Sequence, residues 1–565
     1  MLDRRTLLAV ALSFVVLFGS QWLAVQMGWI KPTPPSTMPA KQTELGQPDA
    51  GHTAPGTSSI EATPGAVSAP VAAAPGVIPT SAWAFAPDSV VSVDHALYTA
   101  RFRTRGARLL SVTLKQFASA DTNRVSLAAD PAYALDLGDP QAPRSLAEVP
   151  YALAESLGAD GHVAALTFTA RDTTGLTITQ TFRLTPDDYR MNVTVAMQGL
   201  PISDDLRRYA ITLRSWPLVN EANRLEDLNN LGVTAKVGKD NKRELSGGLK
   251  NAEKTHEGGV RWLAVHGKYF LLGLVANNVE GLESRAGLAP GVLPEAHDQV
   301  QGTIALPLPS LGRAHEFTLY AGPLDYWRVG RIGMDLEPPH AMGFNWFKPF
   351  SALLVTLMKW FHGVIHNWGV AIILVATLAK LATHPLQASG MKSMRSMQKI
   401  QPEVERLRNK YKGTENAQKL NTAIMELYKE NKVNPLGGCL PMLLQMPFFL
   451  ALYHVLGYAI DLRQAGFVGW ITDLSSPDLL FQLGPLPVRV LPLLMLGSMF
   501  LQMKMTPSGD KQQQMTMQLV NVVFLFLFYN LPSGLVLYWT VINLLTALQA
   551  WHIAQGDTKP LVRAA

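Results

Sequence analysis

Lys380 is the residue best placed to do chemistry, because it is a cation inside the apolar run Val370–Leu386. It lies thirteen residues past Asn367, roughly 20 Å along a helix axis. A charge at that depth costs about 2.5–3.5 kcal/mol to insert, so it marks a function by default. The competing reading is snorkelling: Pro385 follows within about one and a half turns, and a lysine stem nearly reaches headgroups from there. On the residues alone the two readings stand level. Thr377, three residues earlier, shares the face of Lys380. Gln445, Gln502, Asn521, Tyr538, Trp539 and Asn543 also lie in apolar runs, where polar groups need a partner or water. For each amide the plain alternative is an interhelical hydrogen bond that only holds helices together, and for Trp539 it is a packed aromatic. Such a set attracts an anionic group; it does not make or break bonds. No nucleophile elbow, phosphate loop or zinc-protease motif occurs, so neither a catalytic residue nor a cofactor is expected. His362 and His366 have the spacing of a metal pair without a third ligand, and no metal is expected. The single cysteine, Cys439, excludes an internal disulfide and a four-cysteine site and reads as a small buried residue.

The elements that must hold these residues are of two kinds. A chain of 565 residues exceeds one ordinary core, and its mean hydropathy of +0.10 averages two populations. Apolar runs at 7–27 and after residue 365 are long enough to span a membrane, whereas 82–340 reads as soluble protein. Spans are expected at about 367–386, 439–460, 488–503, 515–531 and 534–553, six with the N-terminal one. The start, Asp3-Arg4-Arg5 before an apolar stretch without a cleavage site, reads as an uncleaved anchor. A net charge of +6 arises largely from Lys and Arg clustered in 387–435, so it reports membrane orientation and no specific DNA partner is expected. That basic loop belongs in the cytoplasm, because the 461–487 loop carries only Arg463, with Arg489 just beyond it. Both termini then lie inside and the soluble insert outside.

Residues 31–81, rich in Pro, Ala, Ser, Thr and Gly, cannot bury enough surface to offset ordering and read as a tether. From Ala82 the pattern alternates with period two: Leu97–Arg103, a turn at Arg105-Gly106, then Leu109–Phe117; later Ala165–Thr169, a turn at Thr174-Gly175, then Leu176–Leu184. Alternation broken by glycine turns over some 240 residues predicts a β-sandwich. Trp346, Phe347, Phe350, Trp360 and Phe361 mixed with Lys348 and Lys359 suit a helix lying in the membrane interface. The expected fold class is a polytopic helical membrane bundle with a large periplasmic all-β sandwich. Its divisions are 1–30 anchor, 31–81 linker, 82–340 β domain, 341–365 interfacial helix, 366–555 core with the basic hairpin 387–435, and 556–565 tail.

Two segments carry a likeness: Asn434-Pro435-Leu436-Gly437-Gly438-Cys439-Leu440-Pro441-Met442-Leu443-Leu444-Gln445-Met446-Pro447, and Pro532-Ser533-Gly534-Leu535-Val536-Leu537-Tyr538-Trp539. With the order anchor, β domain, span, basic loop and four spans, the chain resembles the YidC/Oxa family of membrane protein insertases in its Gram-negative form. The resemblance implies a five-helix core enclosing a hydrophilic groove, open to cytoplasm and lipid and closed on the outer side. It implies one positive residue in the first core helix, which Lys380 matches by position. Relatives usually carry Arg there; Lys keeps the point charge and lacks the bidentate fork. Gln502 and Trp539 match groove-lining positions, and Thr377, Tyr538 and Gln445 are expected beside them. Implied partners are nascent membrane proteins, the Sec translocon, translating ribosomes with their targeting factors, and membrane lipids. The implied location is the inner membrane, and the implied role is not enzymatic.

In the basic loop, Arg406, Arg408, Lys410 and Lys412 form a cationic surface suited to recruitment. Met391, Met394, Met397 and Ile400 recur every three residues; they read as the packed face of a helical hairpin turning near Gly413, or as a stripe receiving apolar segments. Two rival functions have distinct marks. A solute transporter shows internal repeats with interrupted helices, which are not apparent here. A polysaccharide-binding or scaffolding β domain would function without the five C-terminal spans.

Overall fold

The alternation expected between residues 90 and 323 becomes antiparallel strands. A computed structural model describes residues 76–77 and 83–555, apart from 120–122, 142, 200–206, 217–220, 222–223, 251, 290–297, 311–312, 333–347, 412–416, 432–447, 449–450, 454, 485 and 506–510. The anchor, nearly all of the linker, the C-terminal tail, Lys412, Cys439 and Gln445 lie outside the described residues. Both expected turns are present. Gly106 and Ala107 have φ of 77° and 48° between strands Tyr98–Arg103 and Arg108–Ala118, and Gly175 has φ of 96° between Val163–Arg171 and Thr177–Leu184. On the latter pair Phe168 and Phe182 are buried, while Thr167 and Thr181 face each other on the other side with hydroxyls 3.2 Å apart.

One sheet runs, in order of pairing, Val90–Asp94, Tyr98–Arg103, Arg108–Ala118, Arg124–Leu137, Arg208–Arg214, Gln299–Pro307 and Gly281–Ala289. The second runs Ala152–Leu157, Val163–Arg171, Thr177–Leu184, Arg190–Gln198, His315–Pro323 and Phe270–Ala276. Strand Lys254–His266 belongs to both. Its first residues pair with Gly281–Ala289, its last with Phe270–Ala276 and, on the opposite edge, with Gly232–Val237. The register shifts between Glu257 and Val260, where Gly258 adopts φ of 125°, a conformation that favours a residue without Cβ. Phe102 and Tyr133 of the first sheet meet Phe182 of the second at ring distances of 5.0 and 5.4 Å, so the sheets face each other across one core. With a single cysteine in the chain, burial of such side chains at about 1.5–3 kcal/mol each holds the domain.

The helical part begins with Lys348–Ile365. His366, with φ of 60°, breaks that helix, and the Asn367 side chain caps the next by accepting from the Val370 amide at 3.0 Å. Helix Trp368–Lys399 then runs for 32 residues, about 48 Å. The helix therefore continues past Pro385, where the sequence places the end of the span. The proline withholds the amide that would bond Leu381 O, while nearby side chains add bonds to other carbonyls: Thr383 donates to Ala379 O at 2.9 Å and Gln549 donates to His384 O at 3.3 Å. Helices Gln401–Lys410 and Ala417–Glu430 pack together as the basic hairpin. Met391 and Ile400 are buried, as a packed face requires.

Among the described residues, Trp368–Lys399 and Ser533–Gln555 are long and apolar enough to cross a membrane. Phe350–Ile365, Leu491–Met505 and Met517–Phe528 are apolar but shorter. Of the expected span 439–460, residues 451–453 and 455–458 are described as helical. The turn before Ser533–Gln555 is clasped by a loop: Ser533 N donates to Ser476 O at 2.8 Å and Gly534 N to Leu474 O at 2.9 Å. A Cβ on Gly534 would stand 3.0 Å from that Leu474 oxygen, which accounts for the glycine.

The β domain and the helices touch away from their covalent connection. Arg463 Nε donates to Glu221 at 2.7 Å with only 2% of its side chain exposed, and the guanidinium lies over the rings of Tyr269 and Phe270. The Tyr269 hydroxyl donates to Gly457 O at 3.2 Å, and Gln464 donates to Ala118 O at 3.2 Å. Burial pushes the Glu221 carboxyl up to about 7 against the lowering effect of Arg463.

Candidate functional site

Seven residues along a helix return to nearly the same face, so Lys380 and Gln387 of Trp368–Lys399 point together. The last helix, Ser533–Gln555, packs against that face and presents Asn543, Thr546 and Gln549 at intervals of three. Lys380 is 6% exposed. Its ammonium donates to Gln387 Oε1 and, at 2.7 Å, to Thr546 Oγ1. Gln387 in turn donates through Nε2 to Thr383 Oγ1 at 2.9 Å. Thr546 donates its own proton to Ile542 O at 2.6 Å, which leaves a lone pair for the lysine. Asn543 donates to Ser498 Oγ at 3.1 Å on the third helix, Leu491–Met505. Towards the other end Arg395 donates to Ala550 O and Ile553 O at 3.0 and 2.7 Å, a guanidinium fork on the final carbonyls of Ser533–Gln555.

The result is a polar seam between apolar helices, with one buried cation held by two uncharged acceptors. Two of the three ammonium donors are used. No carboxylate neutralises it in these hydrogen bonds, so an incoming anionic group would meet an uncompensated positive charge.

The seam differs in membership from the sequence expectation. Lys380 is at its centre. Thr377 is half-buried, and its hydroxyl bonds back to Ile373 O at 2.8 Å instead of joining the lysine. Gln502 is half-buried at the end of Leu491–Met505, and Tyr538 is fully buried in the apolar core. Trp539 packs with Phe528 and Phe524 at ring distances of 5.3 and 6.2 Å, the aromatic contact of its alternative reading. His362 stacks on Trp368 at 4.0 Å. In the basic hairpin Arg406, Arg408 and Lys410 are exposed, and Arg406 lies 3.8 Å from Glu403. Sequence reasoning missed Gln387, Thr383 and Thr546. Gln387 fell beyond the proline taken as the span's end, although its spacing from Lys380 was a usable signal.

Comparison with known proteins covers nearly the whole described chain. Residues 360–559 match the family described as 60Kd inner membrane protein, and 90–357 match the YidC periplasmic domain. The membrane protein insertase YidC of Pelobacter propionicus is 34% identical over 573 residues, spanning 98% of this chain and 99% of the relative. That of Geobacter sulfurreducens is 35% identical over 483 residues, or 81% of this chain and 85% of the relative. A crystal structure of an active YidC insertase with its first transmembrane domain resolved aligns over 84% of this chain and 95% of its own, at 18% identity and a TM-score of 0.37.

Proposed function

Because this chain belongs to the YidC family of membrane protein insertases, we propose that it inserts newly made proteins into the inner membrane, using the polar seam around Lys380 as a hydrophilic groove. The observation that carries the reading is the buried ammonium hydrogen-bonded only to uncharged Gln387 and Thr546, between the two longest apolar helices. A substrate's short translocated tail, often acidic, is drawn towards that charge. At 4 Å and an effective dielectric near 20, a carboxylate gains about 4 kcal/mol. No covalent step is needed: partition of about 20 apolar residues into lipid drives insertion, and the seam shortens the path over which polar groups meet hydrocarbon.

In this reading the chain has six spans, with 1–30 as anchor, 31–81 as tether, 82–340 as the periplasmic β domain, 341–365 at the interface, 366–555 as core and 556–565 as cytoplasmic tail. The orientation is supported by contact of Arg463 and Gln464 with the β domain, while the basic hairpin follows the far end of a helix of about 48 Å. Gln502, Trp539, Tyr538, Thr377 and Gln445 flank the substrate path. Arg406, Arg408, Lys410 and Lys412 receive translating ribosomes, targeting factors and anionic lipid, and the chain acts alone or beside the Sec translocon.

Photocrosslinking tests this directly. A photoreactive residue at position 546 or 539 should capture the tail of a short-tailed membrane protein during translation. Capture at exposed position 548 with none at 546 would sink the groove reading.

A further inference from the structure

Helix Leu491–Met505 has 15 residues, about 22 Å, against a hydrocarbon layer of about 30 Å. Just before it stands a hairpin, Phe481–Leu483 paired with Leu486–Val488. Its apolar side chains turn outward: Leu480 is 47%, Phe481 51%, Leu483 63% and Leu486 57% exposed. This surface continues into Leu493 and Leu494 of the helix, both about half exposed. Residues 479–488 contain no Asp, Glu, Lys or Arg.

The flanking charges turn inward. Asp478 is buried, accepting from Trp470 Nε1 at 2.9 Å and from the Val490 and Leu491 amides at 3.0 Å each. Arg489 donates to Tyr529 O and Asn530 Oδ1 and lies 5.0 Å over the Tyr529 ring.

The backbone suits the interfacial depth of the bilayer, where the outer edges of the two strands reach headgroups and water. Leu480 N donates to Val488 O at 2.9 Å, and the strands pair internally. Pro487 of the second strand has no N–H to leave unpaired. A docking site for a soluble protein would carry a charged rim, whereas the polar side chain exposed on this hairpin is the uncharged Gln482.

We propose that the hairpin lies in the outer leaflet of the bilayer as a lipid-embedded wedge. It completes the hydrophobic belt that the short helix leaves incomplete by about 8 Å, a gap that three-residue strands of about 10 Å can cover. The inference rests on Leu491–Met505 being a span.

The test uses the full chain with Cys439→Ser, reconstituted in phosphatidylcholine and phosphatidylglycerol vesicles. Leu483→Cys or, as a second site, Leu486→Cys carries an environment-sensitive fluorophore; Phe500→Cys reports the span and Asp240→Cys the aqueous phase. Nitroxide lipids labelled near the headgroup should quench the hairpin sites several-fold more than aqueous iodide does. Labels nearer the chain methyl should quench Phe500 best. Hairpin sites quenched by iodide like Asp240, or shielded from both quenchers, with Phe500 still in lipid, overturn the wedge alone. Phe500 behaving like Asp240 overturns the span and the wedge together.

Discussion

Lys380 separates charge from shape cleanly. Lys380→Met keeps the stem and removes the ammonium, losing two hydrogen bonds from a charged donor at about 1.5–3 kcal/mol each. Removing a charge from the bilayer returns about 2.5–3.5 kcal/mol. The two partly offset, so abundance and stability should change by at most about 3.5 kcal/mol. Function should change far more. Attraction of about 4 kcal/mol for a carboxylate corresponds to about a thousand-fold in local occupancy, and Lys380→Glu turns it into repulsion of similar size. Lys380→Arg keeps the charge. The assay is insertion of a short acidic-tailed membrane protein into proteoliposomes at matched protein levels, with a second substrate whose tail acids are neutralised. Expected insertion is Lys and Arg alike, Met strongly reduced and Glu lowest, with the Met defect shrinking on the neutral tail. Equal insertion by the Arg and Glu variants would refute the electrostatic role. If the lysine merely snorkels, the Glu variant should instead lower abundance without a tail-dependent defect.

Three further outcomes follow from the surroundings. Replacing Arg406, Arg408, Lys410 and Lys412 by Gln should weaken salt-dependent co-sedimentation with translating ribosomes while protease accessibility of the loop is unchanged; unchanged co-sedimentation at low salt sinks the recruitment role. Deleting 82–310 removes Glu221 and Tyr269 but leaves Arg463 facing water and not as a buried unpaired charge, so insertion should persist; complete loss in stable, membrane-integrated protein argues otherwise. Glu221 sets a pH dependence. Its carboxyl, at about 7 when docked and near 4.5 when released, holds more protons docked, so docking weakens as pH rises from about 4.5 to about 7, on the order of 3 kcal/mol at most. Cross-linking between cysteines at 464 and 118 should fall across that window in the wild-type background and stay flat in Glu221→Gln; a flat wild-type profile removes the linkage.

The β strands were legible because burial on one face imposes period two, and Gly106 and Gly175 mark turns where φ is positive. That Lys254–His266 serves two sheets was not legible. Gly258-Gly259 announces a bend, but which strands flank each half depends on pairings with residues up to 34 positions away, such as Gly232 with His266 and Ala286 with Lys254. The docking of Arg463 on Glu221 was equally hidden, since the partners are 242 residues apart and each alone reads as a surface charge. For Trp539, the contacts with Phe524 and Phe528 depend on helix packing that the sequence does not display.

Pro385 shows why the seam itself was only half read. In water a proline usually ends a helix, because the lost hydrogen bond and the ring clash cost about 3 kcal/mol or more and solvent rewards the exposed carbonyl. Within a bundle solvent cannot do that, so neighbouring hydroxyls and amides must. Thr383 donates to Ala379 O and Gln549 to His384 O, on either side of the Leu381 carbonyl that the proline leaves without its amide. Thr383 also accepts from Gln387, which accepts from Lys380. The hydroxyl beside the proline therefore belongs to the same hydrogen-bond chain as the buried charge. Pro385, five residues past Lys380, lies within this polar path and does not bound it, and Gln387 belongs to the site.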